Sequence, residues 1–262
     1  MTPDAAEYLE VSFVDSQDDH GSNEVIVLVH GTGGTTDTHY THLYPMLAQH
    51  HRVVGVDWTD PDTETLETQQ LVDQVLGVIE QLQLHEHRIT LVGYSLGAVV
   101  ASLVAAQQPQ LISNLVLIAG WVKTDNQQLL RNHLSAHLAA TDPEALAQFD
   151  VLAAFSGTYL ASMSDEQVGR IVSNMQSTTV FGAKQMELNR SISIAGVLGR
   201  ISAHTLVVGC EQDIMVPIRH QLQLAEAIAD AEFVSIDAGH AVVFERPAEL
   251  ADHILTVVAD AL

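Results

Sequence analysis

The amino-acid sequence predicts an α/β fold, with a mainly parallel, doubly wound sheet and an inserted helical cap. Short β-branched apolar runs alternate with helical patterns over the first 120 residues, which favours a parallel sheet with helices on both faces. No strand pattern occurs in residues 121–198, a segment far too long for an ordinary loop. The alternation of strand and helix patterns resumes after residue 198. We therefore predict a core of residues 1–120 and 199–262 and a helical cap of residues 121–198.

The strands are predicted from apolar runs bounded by turn residues. Val25–Val29 is continuously apolar and β-branched, as expected for a strand that is covered on both faces. Polar or glycine-rich stretches end each run and mark the turns. In chain order the predicted strands are Tyr8–Val14 at the edge, Val25–Val29, Val53–Val56, Ile89–Val92, Leu115–Ala119, Thr205–Val208 and Glu232–Ile236.

The helices are predicted from apolar positions three and four residues apart. Leu71, Val75 and Val78 form such a stripe within Leu66–Leu84. Ala98–Ala106 is packed by small residues and ends before a proline. The predicted helices are Tyr40–Gln49, Leu66–Leu84, Ala98–Ala106, Gln127–Ala139, Pro143–Phe155, Asp165–Ser177, Ile218–Ala229 and Pro247–Leu262.

The charge balance limits the possible partners. The chain has 10 Lys and Arg against 33 Asp and Glu, a formal net charge of -23. Such a field repels nucleic acid and anionic membrane surfaces, so we expect neither as a partner. Because 47% of the residues are hydrophobic, the composition is that of a globular protein with a large core. The acidity also argues against a polyanionic substrate, and a small molecule is the expected partner.

Cys210 is the only cysteine, so the chain cannot form an internal disulfide. Residues 1–10 have no basic region followed by an apolar stretch, and we predict no signal peptide. No apolar run has the length that crossing a bilayer requires. We therefore expect a cytoplasmic protein.

The stretch Gly93–Gly97, with the sequence GYSLG, lies between a predicted strand and a predicted helix. A GxSxG pattern in this context is a nucleophile elbow, a strained turn that presents its serine at the carboxyl edge of the sheet. Ser95 is therefore the candidate nucleophile. The amino end of the following helix, including the Leu96 amide, favours negative charge next to Ser95.

A serine hydroxyl needs a base to remove its proton, and the base needs a third group to orient it. His240 and Asp213 each follow a predicted strand at the carboxyl edge of the sheet, where α/β proteins build their sites. The order serine, acid, histidine is the one used with the elbow in this architecture. Asp213 is the favoured acid, with Glu211 and Asp125 as alternatives.

Two other interpretations are disfavoured. The glycine-rich loop His30–Gly34 could suggest a dinucleotide site, but Thr36 occupies the place of the third glycine. His85 and His87 lack a third metal ligand nearby in the sequence. We expect neither a cofactor nor a metal.

These motifs resemble those of the α/β-hydrolase superfamily, in particular its capped esterase, lactonase and carbon-carbon bond hydrolase branch, which includes enol-lactonases. The resemblance covers most of the chain outside the predicted cap. Its motifs are HGTGG at His30–Gly34, GYSLG at Gly93–Gly97, the acid segment through Asp213, and Gly239–His240 followed by Glu245–Pro247.

The resemblance implies a catalytic triad with Ser95 as nucleophile, His240 as general base and then acid, and Asp213 as the orienting group. It also implies an oxyanion hole formed by the backbone amides of Thr32 and Leu96. The activity implied is serine hydrolysis of a small, largely apolar ester, lactone or thioester. Carbon-carbon bond hydrolysis or acyl transfer by the same triad is an alternative, and a non-catalytic binding protein on this fold is another.

Substrate-binding residues are predicted from position. Gly31, Tyr94 and Trp121 would line the pocket, with Trp121 as a wall because it directly follows a strand. A substrate carboxylate would find counter-charges among the arginines of the predicted cap and the residues next to it. These candidates are Arg131, Arg170, Arg190 and Arg200. The oligomeric state stays open.

Overall fold

The computed structural model describes residues 11–17, 20–175 and 179–260. Their strands form a single seven-stranded sheet in the order β1-β3-β2-β4-β5-β6-β7. All neighbouring strands are parallel except β1, which runs antiparallel to β3 at one edge. The strands are β1 (Ser12–Asp15), β2 (Glu24–Val29), β3 (Arg52–Asp57), β4 (Arg88–Tyr94), β5 (Ile112–Ile118), β6 (His204–Cys210) and β7 (Ala231–Ile236).

The central strands are apolar along their whole length because both faces of the sheet are covered. In β2 every residue is buried, and Val27 pairs with Val54 on one side and Leu91 on the other. Successive side chains point to opposite faces. Val27 thus belongs to one hydrophobic core, whereas its neighbours Ile26 and Leu28 belong to the other. The predicted doubly wound α/β fold is confirmed.

Twelve α-helices occur in the described part of the chain, five of them between β5 and β6. The helices are α1 (Thr36–His39), α2 (Leu43–Leu47), α3 (Thr68–Gln81), α4 (Leu96–Gln107), α5 (Asn126–Thr141), α6 (Pro143–Ala154), α7 (Gly157–Ala161), α8 (Asp165–Asn174), α9 (Val180–Asn189), α10 (Ile218–Ala227), α11 (Val242–Glu245) and α12 (Pro247–Asp260). The core on one face of the sheet includes α3 and α4, and the core on the other face includes α2 and α12.

The structure differs from the predicted helices mainly at their ends. Within the predicted range Tyr40–Gln49 the structure has one shorter helix, α2. Helix α1 precedes that range and begins after a capping box between Thr35 and Thr38. Helix α3 begins after a similar box at Glu67. Of the predicted elements, Tyr8–Glu10, Gln176, Ser177 and the last two residues of Pro247–Leu262 lie outside the described residues.

The five helices α5 to α9 lie within residues 121–198, which we call the helical segment. No strand occurs in its described part, apart from a single bridge between Lys123 and Ser193. Helices α7 and α9 are additions to the three helices that the sequence predicts here. The division of the chain into a core and a cap stays a prediction. No described helix has both the length and the apolar character needed to cross a membrane.

Candidate active site

Ser95 stands between the end of β4 and the start of α4, with φ 56° and ψ −119°. A positive φ is a strained conformation for a residue other than glycine, and such strain clusters at functional sites. The flanking glycines permit the turn. A Cβ at Gly93 would collide with the carbonyl oxygen of Gly97, and a Cβ at Gly97 would collide with the carbonyl oxygen of Val29. The spacing of the glycines therefore follows from the close contact of β4, α4 and β2.

The structure brings Ser95, His240 and Asp213 together. His240 Nε2 lies 2.9 Å from Ser95 Oγ, and His240 Nδ1 lies 2.7 Å from Asp213 Oδ2. All three residues are buried. Since a carboxylate only accepts, Nδ1 carries the proton and Nε2 is left as an acceptor facing the serine hydroxyl. This chain of hydrogen bonds can move a proton from Ser95 Oγ to the imidazole.

The Asp213 carboxylate is fully buried but well supplied with donors. Its Oδ1 accepts hydrogen bonds from the backbone N–H groups of Met215 and Val216, each at 2.8 Å. Gln221 Nε2 lies 3.5 Å from Oδ2, and the same amide donates to the Val216 carbonyl. A buried carboxylate is stable only when such partners replace its hydration. The loop after β6 thus holds the carboxylate in one orientation.

The two alternative acids contact other residues. Glu211 accepts a hydrogen bond from Ser235 Oγ at 2.7 Å. Asp125 Oδ2 lies 3.1 Å from His220 Nε2 and 2.6 Å from Arg219. Burial acts to raise the pKa of Asp125, but hydrogen bonds from the Gln128 amide and Arg219 outweigh it and lower the pKa to about 2. Of these three carboxylates, only Asp213 hydrogen-bonds to His240.

A buried carboxylate, Glu245, holds the loop that carries His240. Glu245 Oε1 accepts from the backbone N–H of Gly239 at 3.1 Å and from that of Ser156 at 2.7 Å. Its Oε2 accepts from Ser156 Oγ at 2.6 Å. The sequence places Glu245 in the last family motif but gives no sign of these contacts, because Ser156 belongs to the helical segment. Residues of that segment therefore support the position of His240.

The glycine-rich loop after β2 is held by two histidines. His30 Nδ1 donates to the Gly31 carbonyl at 2.8 Å, and its Nε2 accepts from the Trp58 amide at 3.4 Å. Burial lowers the pKa of His30. The Gly31 amide donates to His39 Nδ1 at 3.1 Å, and burial, His30 and His240 lower the pKa of His39 to about 3. His30 thus supports the loop, as expected. No sequence pattern indicates that His39 also contacts the loop.

The backbone amides of Thr32 and Leu96 lie in this loop and at the first position of α4. In the described part of the chain, neither amide donates to a protein acceptor. The neighbouring groups are bonded. The Gly33 amide donates to Gln185 Oε1 at 2.7 Å, and Asn189 Nδ2 donates to Thr32 Oγ1 at 2.9 Å. The role of the two free amides as an oxyanion hole stays a prediction.

The residues predicted to bind substrate have different surroundings. Tyr94 is buried and its hydroxyl donates to the His240 carbonyl at 2.9 Å. Gly31 lies so close to the nucleophile that a Cβ there would be 3.1 Å from Ser95 Cβ. Trp121 is only 2% exposed, belongs to a hydrophobic core, and donates from its indole to Thr124 Oγ1. A substrate contact of these residues stays a prediction.

The arginine candidates are distinguished by their partners. Arg170 pairs with Glu166 and Arg190 with Glu187. Arg131 donates to the Asn132 side chain at 2.5 Å and has no carboxylate within 4.0 Å among the described residues. Burial raises the pKa of the nearby Asp150 to about 6. A cluster of three or more side chains able to hold a metal does not occur in the described ranges.

Comparisons with known proteins agree with this fold. The chain belongs to the alpha/beta hydrolase family, whose model matches residues 26–253. It is 31% identical over 237 residues to pyrrolizixenacetamide deacetylase of Xenorhabdus hominickii, covering 87% of this chain and 88% of that protein. The predicted resemblance to this superfamily is thus confirmed, and the chain is an enzyme of the α/β-hydrolase class.

Two solved structures show the same fold. The crystal structure of BpoC from Mycobacterium tuberculosis H37Rv has a TM-score of 0.86 and 24% identity, with 99% of both chains covered. The enol-lactonase from Burkholderia xenovorans LB400 has a TM-score of 0.81 and 21% identity, covering 95% of this chain and 96% of that one. At these identities the likeness concerns the fold alone.

Proposed function

We propose that this protein is a serine hydrolase that cleaves a small, largely apolar ester, lactone or thioester through an acyl-enzyme. The observation that carries the proposal is the hydrogen-bond chain from Asp213 through His240 to Ser95, at a strained turn between β4 and α4. The three residues lie 27 and 145 positions apart along the chain. Residues that follow three different strands therefore form one chain of hydrogen bonds. Acyl transfer by a serine needs this arrangement of nucleophile, base and orienting acid.

In the proposed mechanism, His240 Nε2 takes the hydroxyl proton as Ser95 Oγ attacks the substrate carbonyl carbon. The Asp213 carboxylate keeps the proton on Nδ1 and stabilises the imidazolium that forms. The amides of Thr32 and Leu96 stabilise the negative oxygen of the tetrahedral intermediate. His240 then protonates the leaving group, which departs.

The acyl-enzyme is hydrolysed by the same groups in reverse. His240 removes a proton from water, the resulting hydroxide attacks the acyl carbon, and the imidazole returns the proton to Ser95 Oγ as the acid leaves. Tyr94 supports this cycle by holding the His240 backbone through its hydroxyl. The step requires a neutral imidazole at His240.

Three further activities would use the same groups. The relative from Xenorhabdus hominickii is named a deacetylase of an acetamide, which supports an N-acetyl bond as a second candidate for cleavage. Carbon-carbon bond hydrolysis of a diketone and acyl transfer to an alcohol stay alternatives with the same triad. A non-catalytic binder is the alternative of a different class.

The test combines active-site labelling with kinetics. Ser95→Ala should lose fluorophosphonate labelling and at least about 10⁴-fold in kcat on 4-nitrophenyl acetate. Ser102→Ala is the matched control, because Ser102 is a buried serine of the same turn-helix unit whose hydroxyl donates to the Ala98 carbonyl within α4. A panel of esters, lactones, N-acetyl amides and diketones then separates the chemistries. An unlabelled wild-type protein would favour the binder, and an active Ser95→Ala variant would contradict serine catalysis.

A further inference from the structure

Helix α9 of the helical segment places two polar side chains against the loop that carries the Thr32 amide. Gln185 and Asn189 are one helical turn apart and therefore share a face of α9. They are 1% and 6% exposed. Gln185 Oε1 accepts from the Gly33 amide at 2.7 Å, and Asn189 Nδ2 donates to Thr32 Oγ1 at 2.9 Å. Both contacts join residues more than 150 positions apart, so they depend on the folded arrangement of the segment.

The loop has little internal support on this side. Its own backbone hydrogen bond, from the Gly34 amide to the Gly31 carbonyl, is long at 3.3 Å. Gly33 is exposed and has φ 71°, a conformation that glycine adopts without strain and also leaves easily. His30 fixes the Gly31 carbonyl from the core side. Within the described ranges, the N–H of the peptide that follows Thr32 donates to Gln185 alone.

We propose that Gln185 and Asn189 are positioning residues for the oxyanion hole, an inference that rests on the proposed function. By bonding the Thr32 side chain and the Gly33 amide, they fix the two groups that directly follow the Thr32 N–H along the chain. The N–H itself remains free to meet the substrate oxygen. Donors in an oxyanion hole act through a preset direction, and a small misplacement is enough to weaken them.

The competing explanation is that these side chains only anchor the helical segment to the rest of the protein. Lys184 offers a matched control for that explanation. Its Nζ lies 2.9 Å from each carboxylate oxygen of Asp60, so it also joins α9 to the core. Among the described residues, Lys184 makes no hydrogen bond to the glycine-rich loop. A loss that comes from anchoring alone should therefore appear in a Lys184 variant as well.

The experiment compares the wild type with Gln185→Leu, Gln185→Glu and Lys184→Met on 4-nitrophenyl acetate. Gln185→Leu removes the acceptor and should lower kcat about 10- to 100-fold with KM within about threefold, since one misaligned donor costs at most what a deleted donor costs. Gln185→Glu keeps an acceptor oxygen and should recover most of the activity. Lys184→Met should stay within about threefold of the wild type.

A second measurement separates positioning from folding. Phenylboronic acid forms a tetrahedral adduct with an active serine, so its inhibition constant reports on the oxyanion hole. We expect it to weaken in Gln185→Leu by a factor similar to the loss in kcat, at an unchanged thermal midpoint. Unaltered kcat in Gln185→Leu, or an equal loss in Lys184→Met, would overturn the inference. If one of those results is obtained while Ser95→Ala is inactive, the inference fails and the proposed function stands. An active Ser95→Ala variant would contradict the proposed function itself.

Discussion

Asp213→Asn is the substitution for which the structure gives the clearest prediction. Asparagine has one acceptor oxygen, whereas Asp213 uses both of its oxygens. Its Oδ1 accepts from two backbone amides, and its Oδ2 faces His240 Nδ1. If the amide oxygen stays with the backbone, the NH₂ group faces His240 and can only donate. His240 Nδ1 must then be the acceptor, and the proton moves to Nε2, where it prevents the imidazole from accepting the Ser95 proton.

The opposite orientation of the asparagine keeps the active tautomer, but it leaves the N–H groups of the part-buried Met215 and the buried Val216 without an acceptor. Each such group costs about 1–3 kcal/mol, so the inactive orientation is favoured by about 2–6 kcal/mol. At 1.4 kcal/mol per factor of ten, the asparagine orientation that keeps the active tautomer is populated in between about one molecule in 30 and one in 10⁴. We therefore expect kcat to fall by about 30-fold to 10⁴-fold, with little change in KM.

The assay is steady-state hydrolysis of 4-nitrophenyl acetate, with the fold checked by thermal unfolding. Asp125→Asn is the control, because Asp125 is a carboxylate that contacts His220 and not His240. It should keep kcat within about threefold. The reasoning is refuted if Asp213→Asn loses less than tenfold, or if the Asp125 variant loses as much.

Two further predictions concern stability. Gly97→Ala places a Cβ against the Val29 carbonyl, a backbone atom of a central strand that cannot move aside, and should cost about 3 kcal/mol in urea unfolding. Gly196→Ala, whose new Cβ meets no atom of the described residues within 4 Å, should cost less than about 1 kcal/mol. Similar losses in both variants would contradict the packing argument. The pKa of His39 is about 3 in the folded protein, against 6.5 for a free histidine. Below pH 6.5 the unfolded chain therefore binds a proton at this residue that the folded protein does not bind, and folding becomes less favourable. Lowering the pH from 7 to 5 should remove up to about 2 kcal/mol of stability, and His39→Gln should show a flatter dependence; equal slopes would exclude His39 as the cause.

The sequence predicts the sheet well, because the signals for buried strands and for the elbow are local. Val25–Val29 has to be apolar on both faces, and Gly93 and Gly97 have to lack a Cβ where β4, α4 and β2 meet. His240 and Asp213 could be selected among many histidines and carboxylates because each follows a strand and so reaches the same edge. Whether a residue directly follows a strand can be predicted from the sequence.

The supporting contacts could not be predicted, because they join distant elements through side chains that are common elsewhere. Glu245 contacts Ser156 across 89 positions, and Gln185 contacts Gly33 across 152. Nothing in a glutamine on a helix with little amphipathic pattern distinguishes a buried acceptor from a solvated side chain. Whether this glutamine is buried or solvated depends on how the helical segment packs, and the sequence pattern does not specify that packing.

These contacts change how the helical segment is understood. A segment that only covered a pocket would meet the site through apolar side chains and could be displaced without changing the groups beneath it. Here Ser156 donates to the carboxylate that fixes the His240 loop, and Gln185 accepts from the loop that contains the Thr32 amide. Displacement of the segment would leave Glu245 Oε2 and the Gly33 amide without these partners, at the two ends of the site at once. The geometry of the base and that of the candidate oxyanion hole are therefore properties of the docked segment as much as of the sheet.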